Sequence, residues 1–155
     1  MQIWSTNGRW FQMFKLQGDY IVNEKGQVLD VQGGNDSEGQ NIIVYNRNSK
    51  VSQKWRIVYV DEDKEEPKKG ELNEDFGLYV ERHFYVESAL PTKRLLESHG
   101  NNLVINWPVG SATQKWYFDQ RTKTIRSVAQ TNKSWDIQSS GKSTNLQIWN
   151  VNSNW

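Results

Sequence analysis

Cysteine and histidine, two of the side chains that most often carry out catalysis, are absent or isolated in this sequence. Its 155 residues include no cysteine, which excludes thiol catalysis, disulfides and cysteine-ligated zinc. The two histidines, His83 and His99, stand alone, without a metal-ligand spacing or an adjacent nucleophile. Gly141-Lys142-Ser143 has the ending of a phosphate-binding loop, but Asp136 occupies the position of its first glycine. We therefore expect a protein that is not an enzyme and that uses no cofactor or metal.

The composition predicts one folded domain with an aromatic core. With a mean hydropathy of −0.83 and 35% hydrophobic residues, the chain has no apolar run that could insert into a membrane. Eight tryptophans, six tyrosines and five phenylalanines provide the large apolar side chains of a core. The net charge of +1 conceals an acidic segment at 61–75, which carries a net charge of −5. Charges of both signs are scattered over the mildly basic remainder, so we do not expect a nucleic acid partner.

Short runs of β-branched and aromatic residues predict strands throughout the chain. Examples are Tyr20–Val22, Gln27–Val31, Asn41–Tyr45 and Lys54–Val60, which are separated by Gly, Asn, Asp and Ser. No segment shows the apolar spacing of an amphipathic helix, and turn residues recur about every ten positions. The sequence therefore predicts an all-β protein.

A recurring tripeptide divides the chain into three repeats. Gln53-Lys54-Trp55 recurs as Gln114-Lys115-Trp116, and Gln12-Met13-Phe14 is a degenerate copy with phenylalanine in place of tryptophan. The first two copies follow matching apolar strands, which begin at Asn41 and Asn102. Each repeat contains about four strands and ends on the strand that starts with Gln-x-Trp.

The two ends of the sequence carry the same pattern. Residues 1–10 match residues 146–155 at five of ten positions, which defines a period of 145 residues. Phe14 and Trp55 are 41 residues apart, and Trp116 lies 43 residues before the next expected equivalent of Phe14. The interval from Trp55 to Trp116 is 61 residues and contains the acidic segment. Three units of about 42 residues plus one linker therefore make one period.

Three four-stranded units that each close on Gln-x-Trp resemble the ricin B-chain-like (R-type) lectin domain, which is a β-trefoil. The resemblance covers the whole chain except the linker. A β-propeller also has four strands per repeat but needs at least about four blades to close. The resemblance implies a barrel with a hairpin cap around a shared core. Trp55, Trp116 and Phe14 would lie in that core, and each motif glutamine would pair with backbone groups at a turn.

The resemblance also places both termini inside the third repeat. Residues 1–62 contain the end of a third-type repeat and one full repeat, and 63–75 form a charged linker. Residues 76–155 contain one full repeat and most of a third-type repeat. The favoured arrangement is one period of a tandem array, in which the two halves belong to neighbouring trefoils. The alternative is one permuted trefoil, in which Gln2–Trp4 and Gln147–Trp149 compete for one strand position. The losing strand would stay unpaired or join another copy head-to-tail.

The resemblance implies a sugar site in the first repeat. In R-type lectins an aspartate on the second strand accepts hydrogen bonds from sugar hydroxyls, and an aromatic residue on the third strand stacks on the sugar. Asp30 and Tyr45 occupy these positions. An asparagine precedes Gln-x-Trp in the family, and Ser52 replaces it here, next to Gln53. We expect all four residues to contribute to carbohydrate binding.

A second site is implied in the third repeat. Asp136 and Trp149 occupy the two key positions there, and Gln147 points the same way as Trp149. The middle repeat has Glu97 with Asn106 at the aromatic position, so we expect no working site in it.

Two functions follow from the resemblance. The first is a lectin-like module that binds glycans, with galactose-type sugars favoured. The alternative is a structural or scaffold repeat protein that forms fibres or protein assemblies through degenerate sugar sites. Its motivation is the family asparagine, which is missing from all three repeats.

Overall fold

The computed structural model describes residues 12–60, 72–137 and 145–151, and these residues form strands joined by turns. The strands are β1 (Phe14–Gln17), β2 (Tyr20–Asn23), β3 (Val28–Val31), β4 (Gln40–Tyr45), β5 (Trp55–Tyr59), β6 (Leu72–Asn73), β7 (Leu78–Tyr79), β8 (Phe84–Ser88), β9 (Leu95–His99), β10 (Asn102–Asn106), β11 (Trp116–Asp119), β12 (Thr124–Ser127), β13 (Lys133–Ile137) and β14 (Leu146–Asn150). Single turns of 3-10 helix span Gln32–Gly34, Val51–Gln53 and Ala112–Gln114. The all-β prediction is confirmed. In the described ranges no helix is long and apolar enough to cross a membrane.

Six strands pair to form the barrel. β1 pairs with β2, β5 with β8 and β11 with β12, each in antiparallel register over four or five residues. Each pair joins the last strand of one repeat to the first strand of the next. The barrel therefore closes only when all three repeats contribute.

Three hairpins, one from each repeat, form the cap of the barrel. β3 pairs with β4, β9 with β10 and β13 with β14. The third strands of the repeats meet, because β10 pairs with both β4 and β14, and Ile43 bridges to Asn145. Three repeats of four strands around one axis are the expected β-trefoil.

A ring of three asparagine side chains joins the third strands. Asn41 donates from Nδ2 to Oδ1 of Asn145 at 2.7 Å, and Asn145 donates to Oδ1 of Asn102 at 2.9 Å. Asn102 completes the ring by donating to Oδ1 of Asn41 at 2.6 Å. Each amide donates to the next, so the ring fixes the three strands relative to one another.

The tryptophans of the two full motifs lie in the core in the same way. Trp55 and Trp116 are buried. The indole N–H of Trp55 donates to the carbonyl of Leu29 at 3.1 Å, and that of Trp116 donates to the carbonyl of Leu96 at 3.3 Å. Each tryptophan thereby ties the fourth strand of its repeat to the second.

In the third repeat the larger of the two side chains is on the second strand and the smaller is on the fourth. Phe14 occupies the tryptophan position, and Trp135 occupies the position of Leu29 and Leu96 on the second strand. The Trp135 ring lies 5.7 Å from the Phe14 ring and 5.6 Å from the Trp116 ring, both edge to face. The large indole therefore lies on the second strand of this repeat and not on the fourth.

The hairpin of β6 and β7 packs on the barrel. Leu72 and Asn73, at the end of the segment expected to be a linker, form β6. Phe76 is buried in the turn that follows, and its carbonyl accepts a hydrogen bond from the backbone N–H of Leu16 at 2.8 Å. Residues 63–71 of the expected linker lie outside the described residues.

Gln12 joins the two halves of the chain. Its Nε2 donates to Oδ1 of Asp136 at 3.2 Å and to the carbonyl of Asn150 at 3.0 Å. Gln12 therefore contacts the hairpin of β13 and β14, and buried residues of both halves belong to one core. That both termini fall inside the third repeat stays a prediction. A longer tandem array stays a prediction.

Candidate functional site

Asp30 lies on β3 at the base of the candidate site in the first repeat. Its side chain is 7% exposed. Ser52 donates from its hydroxyl to Oδ1 at 2.7 Å, and Gln53 donates from Nε2 to Oδ2 at 3.2 Å. A carboxylate has about four acceptor positions, so both oxygens can still accept from a ligand.

Tyr45 shares a face of the hairpin with Asp30. Ile42 and Val44 of β4 point into the core, so Ile43 and Tyr45 point outward on the alternate face. Ile43 is the cross-strand partner of Asp30, which places the two on the same face. The Tyr45 side chain is 50% exposed, which leaves its ring open to a flat apolar partner.

A cavity of about 350 Å³ lies between these residues. Its lining residues are Asp30, Gly33, Gly34, Ile43, Tyr45, Asn48, Lys50 and Ser52. Gly33 and Gly34 have φ of 70° and 68°, a left-handed conformation that favours glycine, and they turn the chain after β3 around the cavity. The cavity thus offers one carboxylate, one amide, one hydroxyl, one ammonium and one exposed aromatic ring.

Gln53 supports two residues that line the cavity but does not line it itself. The residue is fully buried and is not among those that line the cavity. Besides Asp30, its Nε2 donates to the carbonyl of Asn46 at 2.8 Å, and its Oε1 accepts from the backbone N–H of Asn48 at 2.8 Å. Gln53 therefore positions Asp30 and Asn48 instead of facing the ligand space.

The middle repeat has the same hydrogen-bond arrangement, with an asparagine in the aromatic position. Gln114 donates to Oε1 of Glu97 at 2.9 Å and to the carbonyl of Trp107 at 2.7 Å, and it accepts from the backbone N–H of Val109 at 2.9 Å. Asn106 takes the aromatic position and donates to Oε2 of Glu97 at 3.0 Å. Glu97 thus accepts one hydrogen bond on each oxygen, as Asp30 does, but its repeat has an asparagine in place of the aromatic residue. That the middle repeat has no working site stays a prediction.

Trp107 and the ion pair next to it were not found by sequence reasoning. The Arg94 guanidinium lies 4.3 Å from the centre of the Trp107 ring and 2.9 Å from the Asp36 carboxylate. Burial alone would raise the pKa of Asp36, but hydrogen bonds from Thr92, together with Arg94, hold it below its usual value. The contact joins the first two repeats, and no local motif indicates it.

The third repeat brings its predicted residues together. Asp136 is 3% exposed and accepts from Gln147 at 2.8 Å and from Gln12 at 3.2 Å. Gln147 is its cross-strand partner, and Trp149, 49% exposed, lies two residues further on the same face. Phe11 and residues 138–144, which flank this site in sequence, lie outside the described residues, as does Gly141-Lys142-Ser143.

Asp136 should make stability depend on pH. Burial raises the pKa of Asp136, although hydrogen bonds from Gln147 and Gln12 act in the opposite direction. Because the folded-state pKa is raised, the protonated carboxyl stabilises the fold fully at pH values below the unfolded-state pKa, about 3.9. That stabilisation is lost as the pH rises through the folded-state pKa. Asp136→Asn keeps the shape and cannot ionise. Its melting temperature relative to the natural chain should therefore rise between about pH 3 and 7. A difference in melting temperature between the two proteins that stays constant across that range would contradict the raised pKa of Asp136.

The two histidines lie apart from these sites. The His83 ring is 5.9 Å from the Tyr117 ring, and His99 ends β9. Within 12–60, 72–137 and 145–151, no three acidic, histidine or cysteine side chains are grouped so that they could hold a metal ion. That the chain uses no metal or cofactor stays a prediction.

Comparisons with solved structures show the fold. A designed threefold symmetric protein, ThreeFoil, is 17% identical, with a TM-score of 0.56 and 81% of each chain covered. The C-half of an earthworm R-type lectin, solved in complex with GalNAc, is 17% identical, with a TM-score of 0.53 and 83% of each chain covered. The β-trefoil lectin of Vibrio vulnificus hemolysin/cytolysin, solved with N-acetyl-D-lactosamine, is 18% identical, with a TM-score of 0.50. That match covers 80% of this chain and 76% of the other.

These likenesses confirm the β-trefoil, the fold of the R-type lectin domain that the repeats resemble. No protein-family model matches the sequence. No curated protein matches it either.

Proposed function

We propose that this chain is a carbohydrate-binding module and not an enzyme, and that the cavity beside Asp30 holds a sugar. The observation that carries the proposal is the cavity of about 350 Å³ in which a buried carboxylate faces the same side as an exposed tyrosine ring. Small-molecule sites typically have volumes of about 300–1,000 Å³, so this cavity suits one monosaccharide unit of a glycan.

Each lining group matches one feature of a sugar. Asp30 accepts hydrogen bonds from adjacent hydroxyls, and its position is fixed by Ser52 and Gln53. The exposed ring of Tyr45 covers the C–H face of the sugar. Asn48 adds a side-chain amide to the cavity lining, which can both donate and accept.

Galactose-type sugars are the favoured ligands. The β-trefoils of the earthworm lectin and the Vibrio lectin were solved with GalNAc and N-acetyl-D-lactosamine, which supports this class. The pair of Asp136 and Trp149 provides a second, similar site in the third repeat. Each shallow site binds weakly alone, and both together strengthen attachment to a glycan-covered surface through multivalency.

Tyr45→Ala should weaken glycan binding without disturbing the fold. The side chain is half exposed, so its removal costs little stability, whereas the loss of stacking should weaken binding about tenfold. The measurement is a glycan array followed by NMR titration with galactose and N-acetylgalactosamine. Asp30→Asn, which keeps the volume and removes the charge, should weaken binding as well.

Trp107→Ala is the matched control for this experiment. Trp107 is 47% exposed, close to the value for Tyr45, but it lies outside the cavity in the middle repeat. Its removal should leave affinity unchanged. A blank array on folded protein, or equal losses in Tyr45→Ala and Trp107→Ala, would contradict the proposal.

A further inference from the structure

The cavity beside Asp30 carries charge of both signs. Among its lining residues, Asp30 and Lys50 have the charged side chains. Asp30 accepts hydrogen bonds from the neutral side chains of Ser52 and Gln53. Lys50 is exposed and forms no ion pair with an acidic side chain of residues 12–60, 72–137 or 145–151. The ammonium group of Lys50 is therefore available to a ligand in the cavity.

Hydrogen bonds hold the backbone of Lys50 at the cavity. Its N–H donates to Oδ1 of Asn48 at 3.0 Å, and its carbonyl accepts from the backbone N–H of Gln53 at 3.0 Å. Gln53 also donates from its side chain to Asp30. One residue thus positions both the carboxylate and the point from which the lysine side chain extends. Only the four-carbon stem of Lys50 stays flexible, so its charge remains close to the ligand space.

The middle repeat forms the same turn without a lysine. Ser111 lies three residues before Gln114, as Lys50 lies three residues before Gln53. The carbonyl of Ser111 likewise accepts from the backbone N–H of Gln114 at 3.0 Å. The angles φ and ψ are −74° and 153° at Lys50 and −78° and 163° at Ser111. The fold therefore does not require a lysine at this position, which leaves ligand contact as the role that the cavity gives it.

We infer that the sugar bound beside Asp30 carries a negatively charged substituent, a sulfate or a carboxylate, that pairs with Lys50. The inference rests on the proposed function and names the class of glycan. Hydroxyl groups of the same sugar donate to Asp30. A neutral hydroxyl can also accept from an ammonium group, but an anion adds Coulomb attraction to the hydrogen bond. Lysine acts as a point charge without the planar geometry of arginine, so it suits either anion.

Titration with matched neutral and charged sugars tests the inference. The probes are methyl β-galactoside, the same sugar sulfated at O3 or at O6, and methyl galacturonoside, which has a carboxylate at C6. NMR titration of the full chain gives an affinity for each probe from the shifts of the residues that line the cavity. At least one charged probe should bind about three- to fivefold more tightly than methyl β-galactoside. The O6-sulfated sugar and the galacturonoside compare the two anions at one carbon.

Lys50→Ser removes the ammonium group and should retain the turn. It introduces the residue that the middle repeat has at the equivalent position. The ratio of affinities for charged and neutral sugar should fall to about one in this variant.

Arg47→Ser is the matched control. It removes the same charge from the same loop, but Arg47 is not among the residues that line the cavity. Its guanidinium lies 4.4 Å from the centre of the Tyr20 ring and donates to Oε1 of Gln17 at 3.1 Å. This variant should keep the ratio of the natural chain, because the ratio reports a charge at the cavity and not the net charge of the protein.

Added salt gives a second readout. The Debye length falls from about 30 Å at 0.01 M salt to about 3 Å at 1 M, so attraction between exposed charges weakens over this range. The preference of the natural chain for the charged sugar should decrease accordingly. In Lys50→Ser the ratio should stay at about one at every salt concentration.

The outcomes separate this inference from the proposed function. Equal affinities for all probes, or weaker binding of every charged probe, would overturn the inference and leave sugar binding in place. A preference that Lys50→Ser keeps as fully as Arg47→Ser would overturn the pairing with Lys50. No binding of any probe, neutral or charged, would overturn the proposed function together with the inference.

Discussion

Replacing Trp135 with leucine should lower the free energy of unfolding by about 2–4 kcal/mol. The indole is fully buried and contacts the rings of Phe14 and Trp116 edge to face, so its loss leaves a cavity in the shared core. Phe14→Trp alone should also destabilise, by about 1–3 kcal/mol, because it adds volume to a packed site. Urea denaturation of both single variants measures these losses.

The double variant Phe14→Trp, Trp135→Leu should recover most of the lost stability. It gives the third repeat the tryptophan and leucine that the other repeats have at these two positions. The indole N–H of Trp135 has no partner among the described residues, whereas that of Trp55 donates to the carbonyl of Leu29. The introduced indole on β1 would gain the equivalent acceptor on β13.

A double-mutant cycle measures whether Phe14→Trp and Trp135→Leu compensate for each other's loss of stability. Residues in contact commonly show coupling of about 0.5–3 kcal/mol, and we expect a favourable value near the upper end of that range. If the two losses of stability simply added, residues 14 and 135 would not be coupled, and the third repeat would pack differently from the other two. Leu29→Ala, at the equivalent position of the first repeat, is the control for a core loss without an exchange partner.

The repeats could be predicted from the sequence because their signals are local. Gln-x-Trp and the asparagine that opens each third strand lie at fixed spacings, and these residues occupy equivalent places in the structure. The first candidate site followed from position as well, since Asp30 and Tyr45 share the face that strand alternation gives them.

The remaining features depend on contacts between distant segments. The ion pair of Arg94 with Asp36 joins two repeats, and no spacing within either repeat reveals it. Asn48 and Lys50 reach the cavity from the loop after β4, whose path depends on the closed trefoil. For the far wall of the cavity the sequence offers the Gly33-Gly34 pair, which marks a turn directly after the strand that bears Asp30.

Gln53→Ala should lower both stability and glycan affinity, although Gln53 does not reach the ligand space. The substitution removes hydrogen bonds to Asp30, to the Asn46 carbonyl and to the backbone N–H of Asn48. The contact to Asp30 is buried and the two backbone contacts are partly buried. At about 0.5–1.5 kcal/mol for each hydrogen bond lost, we expect a total loss of about 2–4 kcal/mol. Because Asp30 and Asn48 line the cavity, the loss of their common support should also weaken glycan binding about tenfold or more.

Gln114→Ala separates the positioning role from a general loss of stability. Gln114 is equally buried and makes the same kinds of contact, but its repeat has Asn106 where the first repeat has the exposed ring of Tyr45. This variant should lose about as much stability as Gln53→Ala, within about 1 kcal/mol, and should keep its affinity for galactose-type sugars. Chemical denaturation and NMR titration on both proteins measure the two effects separately.

Gln53→Glu adds a readout that a purely structural role would not change. Glutamate keeps an acceptor for the Asn48 N–H but places a second carboxylate beside Asp30, and two adjacent carboxylates raise the pKa of one of them. Below that pKa the protonated oxygen again donates to its neighbour. Glycan affinity of this variant should therefore be low at neutral pH and should recover as the pH falls, whereas Gln53→Ala should stay weak at every pH. If Gln53→Ala and Gln114→Ala lost affinity equally, Gln53 would act only through overall stability, and Asp30 would not depend on it for its position.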